Sequence, residues 1–161
     1  MIKFWLEKNI RAESGRIHKI LAESYLFYFL FFLLGVYLDL IFPIKPIPGQ
    51  AGRALGLVVI VFATLLVLWA QRSSRHLDAA KDNFSPDSFR RGPYRFTRSP
   101  THWGLFFLLF GFGLSANALF VMLFILLAFV VTRALFITEE EKILEKKYGS
   151  AYLEYKKSVK F

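Results

Sequence analysis

"THWGLFFLLFGFGLSANALFVMLFILLAFVVTRALFI", residues 101–137, has no acidic residue, and its only lysine or arginine is Arg133. Apolar runs of about 18 residues or more read as membrane spans. This stretch is long enough for two, and "SAN" at residues 115–117 is its only break. Trp103 to Leu114 alone rises roughly 18 Å at 1.5 Å per residue, short of a hydrocarbon core of ~30 Å. The first helix must therefore begin near Pro100 and run to about Ala118. The stretch predicts two transmembrane helices, residues 101–118 and 119–137, folded as a tight hairpin. Such a hairpin returns the chain to the membrane face from which it started.

Upstream, residues 25–43 and 54–70 read as two further spans, separated by the loop "PIKPIPGQAGR", where proline cannot continue a helix. Asp39 lies near the far end of the first span, where headgroups can solvate it. Residues 1–24 mix apolar and charged positions: Ile2, Trp5, Leu6, Ile10, Ile17, Ile20 and Leu21 line one side of a helix broken at Ser14 and Gly15. This reads as an interfacial amphipathic segment. Acidic residues interrupt it and no short apolar core with a cleavage site follows, so it is not a signal peptide. The fold class is all-α: a single-domain polytopic membrane bundle of four spans, with an N-terminal amphipathic segment and a C-terminal cytoplasmic helical segment.

Composition agrees. Of 161 residues 55% are hydrophobic and 19 are Phe, more apolar surface than a soluble domain of this length can hide. There is no cysteine, which excludes disulfides, thiolate metal sites and cysteine nucleophiles. His18, His76 and His102 show no metal-ligand spacing, so no metal site is expected. The net charge of +9 raises nucleic acid as a partner, but the cations sit at span ends. Lys and Arg number 5 before the first span, 2 in the first loop, 7 in the second, none in the third and 7 from Arg133 onward. That alternation places the N-terminus, the central loop and the C-terminus in the cytosol. The partner is the bilayer, not nucleic acid.

Two polar segments flank the hairpin. "GPYRFTRSPTHWG", residues 92–104, contains a good helix start: Ser99 can cap free N–H groups, and Pro100 suits the first helical position. Helix N-termini favour anions, and Tyr94, Arg98 and His102 surround this one. The bland reading is a basic and aromatic membrane belt. The second segment, residues 133–157, is "RALFITEEEKILEKKYGSAYLEYKK". The hairpin brings Arg133 and Glu139, Glu140 and Glu141 back near Arg98. Arg133 and Glu140 are seven apart, which puts them on one face of a continuous helix. Thr138 with Glu141 also reads as a capping box, and a helix restarting there weakens that face argument. The bland reading of the glutamates is a solvated helix start.

Residues 92–104 resemble the G-x-Y-x-x-x-R-H-P-x-Y-x-G signature of the isoprenylcysteine carboxyl methyltransferase and phospholipid methyltransferase superfamily, through Gly92, Tyr94, Arg98, Pro100 and Gly104. "EEKILEKKYGSAYLEYKK" is similar to its partner motif, E-E-x-x-L-x-x-x-[FY]-G-x-x-Y-x-x-Y, through Glu140, Glu141, Leu144, Tyr148, Gly149, Tyr152 and Tyr155. The resemblance spans residues 92–159. It departs at Ser99, where the family has His, and at His102, where it has Tyr.

The resemblance implies an integral-membrane methyltransferase that uses S-adenosyl-L-methionine from the cytosol. Its lipophilic acceptor arrives laterally from the bilayer. No G-x-G-x-x-G stretch suggests a soluble-type cofactor fold. On this reading Tyr94, Arg98, Ser99, Pro100, His102, Trp103, Gly104, Glu140, Tyr148 and Tyr152 are the cofactor-binding candidates. Arg98, Arg133, Glu139 and Glu140 are the catalytic candidates. Methyl transfer from a sulfonium needs alignment and exclusion of water more than activation. A carboxylate acceptor needs only a positioning cation such as Arg98 or Arg133. An amine acceptor needs a group to take its proton, such as Glu139 or Glu140. The residues serve either acceptor. The alternatives are a non-catalytic lipid-binding or assembly subunit of the same fold and, ranked below it, a channel or carrier, which would need polar residues along the spans.

Overall fold

A computed structural model describes residues 2–47, 50–79 and 90–159, with side chains for 19–47, 50–74 and 90–159. Among the described residues all regular structure is helical. Helix α1 is Ile2–Ile41, α2 is Ala51–Ala79, and a 3-10 turn follows at Gly92–Arg95. Then come α3 at Pro100–Ala116 and α4 at Leu119–Thr132. A π-helical turn at Arg133–Ile137 leads into α5, Thr138–Tyr148, and α6 is Ser150–Ser158. Among the described residues three stretches are long and apolar enough to cross a membrane: Lys19–Ile41, Ala51–Ser74 and Leu119–Tyr148. Helix α3 has 17 residues, which is about 26 Å at the α-helical rise, so it falls short of that length.

Two expectations need correction. Helix α1 is not broken at Ser14 and Gly15 but runs through them. A glycine inside a helix costs only about 1 kcal/mol, which a long helix absorbs. Nor does a helix restart at Thr138. Ile137 and Thr138 both keep right-handed helical backbone and no side chain caps the junction. The Thr138 hydroxyl instead donates to the Ala134 carbonyl at 3.2 Å.

The hairpin turn is built as its composition suggests. Asn117 takes the left-handed conformation (φ 54°), and the Ala118 amide donates back to the Gly113 carbonyl at 2.8 Å. Asparagine tolerates this backbone better than most residues. Its side chain then ties in the α1–α2 loop, donating to the Ile47 carbonyl at 2.7 Å and accepting from the Ile47 amide at 3.1 Å. Asp39 caps α4, accepting from the Phe120 and Val121 amides at 3.2 and 2.8 Å. Its charge is thus stabilised by the free N–H groups and dipole of a helix start, a partner within the protein rather than headgroups alone.

Helix α1 packs on α4, α2 on α3, and α3 on α4. Tyr28, Phe106, Val121, Ile125 and Ala128 form the centre of the core, with Phe27, Phe31, Trp103 and Phe129 against it. Leu55, Leu57, Val58, Val61, Phe62 and Leu65 of α2 are instead exposed, as suits a surface whose solvent is lipid. The α2–α3 approach depends on Gly56. A Cβ there would sit 2.6 Å from the Gly111 carbonyl oxygen and press on the Ser115 amide. Small residues let membrane helices approach this closely. Gly56→Val is expected to lower stability by about 3 kcal/mol, the upper end of overpacking costs, because backbone must move. Thermal unfolding in detergent measures it; an unchanged midpoint would mean that the two helices do not pack this tightly.

Candidate functional site

The polar residues collect at the end of the bundle where α3 begins and α4 runs into α5. Gly92 positions the turn leading there. Its φ is +57°, and an added Cβ would strike the Ser73 hydroxyl of α2, so only glycine fits this contact. Pro100 is buried at the first position of α3. Ser99 occupies the cap position, yet its side chain makes no capping hydrogen bond. The free N–H groups at the start of α3 thus have no help from Ser99. An uncapped helix start with positive dipole suits an anion.

Arg98 and Arg133 stand beside that helix start. Arg98 Nη1 pairs with Glu141 Oε1 at 2.8 Å, with side chains only 17% and 13% exposed. Lys156 of α6 bridges Glu141 Oε2 at 2.9 Å and Glu145 Oε1 at 2.6 Å. The Arg133 guanidinium lies 5.8 Å from the centre of the Trp103 ring, close enough for cation–π attraction. Its buried Nη1 has no hydrogen-bond acceptor among the described residues. Arg98, Ser99, Arg133, Ile137, Thr138 and Glu141 enclose a polar cavity of about 180 Å³.

The π-turn explains why Glu141 belongs to this cavity with Arg133. One π-turn adds a residue relative to α-helical register. The alignment expected at a spacing of seven therefore shifts to eight. Glu140 faces a different neighbour: its Oε2 lies 3.5 Å from Nε2 of His102, whose side chain is 4% exposed. Glu139 is exposed and lines a separate groove of about 350 Å³ with Lys19, Glu23, Lys142 and Lys146. The three glutamates thus have three environments.

The other candidates serve the surroundings. Trp103 packs on Phe106, Phe107 and Phe129 in the apolar core. Gly104 is buried against Val67 of α2. Tyr148 packs beside buried Tyr152, Tyr155 and Val159, a small core that holds α6 against α5. The Tyr155 hydroxyl donates to the Tyr94 carbonyl at 2.8 Å, which ties α6 to the turn before α3. Tyr25, Glu141, Tyr155 and Lys156 also belong to this region, beyond the residues expected from the sequence. Glu141 and Tyr155 carried a signal, since both stand in the second motif, whereas nothing near Tyr25 or Lys156 in the sequence marks them.

Tyr94 is pushed above its ordinary 10.0 chiefly by burial; a hydrogen bond to Thr101 partly opposes this and the Glu140 charge adds to it. Tyr152 and Tyr155 are pushed up further, again chiefly by burial. Hydrogen bonds to Glu145 and Glu141 raise Lys156 from 10.5. All four bind their protons more tightly in the folded chain. Their contribution to stability is complete below the unfolded values and is lost as pH rises through the folded ones. As pH rises above about 10, then, the hold of α6 on α5 and the turn is expected to weaken progressively. Hydrogen exchange along α6 with tyrosinate absorbance reads this; release near neutral pH would contradict it.

On the other side of α3, Tyr25, Thr64, Val67, Leu68, Gln71, Thr101, Leu105 and Leu108 line a mainly apolar groove of about 320 Å³. Tyr25 of this groove has its ring 6.3 Å from that of His102, which in turn lies against Glu140. A polar cavity and an apolar groove thus flank one helix start. A family model described as phospholipid methyltransferase matches residues 51–151, from the first residue of α2 into α6. No curated protein and no solved structure matches the chain. The family match covers more than half of the chain and holds Arg98, His102, Arg133, Glu140 and Glu141: this multi-pass membrane protein belongs to the phospholipid methyltransferase family.

Proposed function

We propose that the chain transfers a methyl group from S-adenosyl-L-methionine to a lipophilic acceptor at the cytoplasmic face of its membrane. The observation that carries this reading is the polar cavity at the uncapped start of α3, with Arg98 and Arg133 beside it and Glu141 opposite. The residues fit the cofactor's amino-acid end. Arg133 brings a buried donor without an acceptor, the helix start favours a carboxylate, and Glu141 suits an ammonium. A volume of about 180 Å³ is that of an amino-acid-sized group. When bound, the cofactor supplies a methyl group already activated on positive sulfur. Arg98, Arg133 and the α3 amides orient it, Tyr94 and Ser99 complete the polar wall, and α6 keeps bulk water out through Tyr152 and Tyr155. Excluding water strengthens each of these interactions.

The groove lined by Tyr25, Leu68, Leu105 and Leu108 receives the apolar part of the acceptor. Helix α3, paired with α2 and α4, makes the fourth crossing, its shortness compensated by local thinning of the bilayer. The charge distribution supports an orientation with both termini and the central loop on the cytoplasmic side. Incubation of the detergent-purified protein with a host lipid extract and radiolabelled S-adenosylmethionine tests the activity. Label in the lipid phase is the expected result, and none at any protein concentration would refute it.

A further inference from the structure

We infer that the end of the bundle opposite the candidate site holds the phosphate of an anionic phospholipid between Lys45 and Arg53. This site is independent of the methyltransferase reading. The chain has 21 lysines and arginines. The segments that meet at this end, residues 38–55 and 113–122, contain Lys45 and Arg53 and no other. Both line one polar cavity of about 190 Å³, together with Gly52, Ser115, Ala116 and Asn117. The convergence is not local. Lys45 lies in the α1–α2 loop, Arg53 in the first turn of α2, and the remaining wall is the hairpin turn after α3. Asn117 builds the site: its side chain exchanges two hydrogen bonds with the backbone of Ile47. The loop that carries Lys45 is thereby held against the hairpin turn.

Two cations at one cavity repel unless an anion lies between them. The same segments contain one acidic residue, Asp39. Its two carboxylate oxygens are already taken by the Phe120 and Val121 amides. Among the described residues no carboxylate lines the cavity. Backbone dipoles do not decide the sign, because α2 begins and α3 ends beside the cavity, and these ends carry opposite partial charges. The side chains decide it, and they are cationic. Lysine and arginine at a span end rest their stems on apolar surface and keep their charged heads at headgroup level. Phe42, Ile44 and Leu55 beside them are exposed, an apolar flank along which acyl chains can lie. A choline or ethanolamine headgroup would set its own cation against Lys45 and Arg53, whereas a lipid of net negative charge would not. The lysine-lined groove between α1 and α5 differs, because Glu23 and Glu139 line it as well. The position also gives the site a role. The cavity borders Ser115 and Ala116, the last residues of the 17-residue α3. A phosphate held there draws the headgroups toward the end of α3, which is the local thinning that a short crossing needs.

Native mass spectrometry of the detergent-purified protein, titrated with equal amounts of phosphatidylglycerol and phosphatidylcholine, tests the site. One phosphatidylglycerol per chain is expected, in preference to phosphatidylcholine. Combined Lys45→Gln and Arg53→Gln should weaken its binding about 30-fold, roughly fivefold for each cation near a lipid surface. Each single variant should show its own fivefold loss, so the result does not hang on the folding of the double variant. Combined Lys142→Gln and Lys146→Gln removes the same charge from the other groove and should change binding by less than about twofold. Equal losses in the two double variants, or equal retention of both lipids by the wild type, would make these residues an ordinary basic belt and overturn the proposal. Displacement of the lipid by millimolar inorganic phosphate would overturn it in favour of a free-anion site. None of these results bears on S-adenosylhomocysteine binding at the other end.

Discussion

Arg98→Ala is expected to weaken S-adenosylhomocysteine binding by about 1.5–3 kcal/mol, the usual worth of a hydrogen bond to a charged group, or roughly 10- to 150-fold in Kd. Arg98 stands at the mouth of the polar cavity and holds Glu141 at 2.8 Å. Its removal takes away a cation and also loosens the carboxylate opposite. Arg95 is the control: it lies three residues away, is equally basic, and is exposed. Arg95→Ala should change affinity by less than about twofold, as surface charges usually do. Calorimetry of both variants decides. Equal small effects would make residues 92–104 a plain basic membrane belt.

Glu140→Gln is expected to lower methyl transfer by about 10²–10⁴-fold, the range for a lost acid–base contribution, with the fold intact. The variant keeps the shape of the side chain and removes its charge from beside His102. Glu139→Gln is the contrast, because Glu139 faces the exposed lysine-lined groove between α1 and α5. Its turnover should stay within about twofold of wild type. Radiolabelled transfer with the same lipid extract measures both. Full turnover in Glu140→Gln would remove that residue from the mechanism and turn attention to Glu141, which faces Arg98.

The hairpin was legible because its information is one-dimensional. A long apolar run with one polar break allows few foldings, and the break carries Asn117, a residue at ease in the left-handed turn that forms there. The return of Arg133 and Glu141 to Arg98 followed from that hairpin alone. Register was harder. A spacing of seven assigned Glu140 to Arg133, but the π-turn at Arg133–Ile137 adds a residue and brings Glu141 into the cavity instead. Nothing in the local sequence marks such a turn. Contacts between distant segments were also out of reach. Asp39 reaches the amides of Phe120 and Val121, and Tyr155 reaches Tyr94. Each looks interfacial when read in its own neighbourhood. Tyr25 was hidden for the same reason: within α1 it is one aromatic residue among many, and only the packed bundle sets it beside His102.

Calorimetric titration of the detergent-purified wild-type protein with S-adenosylhomocysteine tests the central claim most directly. The polar cavity at the start of α3 predicts saturable binding with one site per chain, weakened when Arg98 is replaced. Absence of binding heat from a folded, monodisperse sample would contradict the account and favour a subunit that keeps the fold without the chemistry.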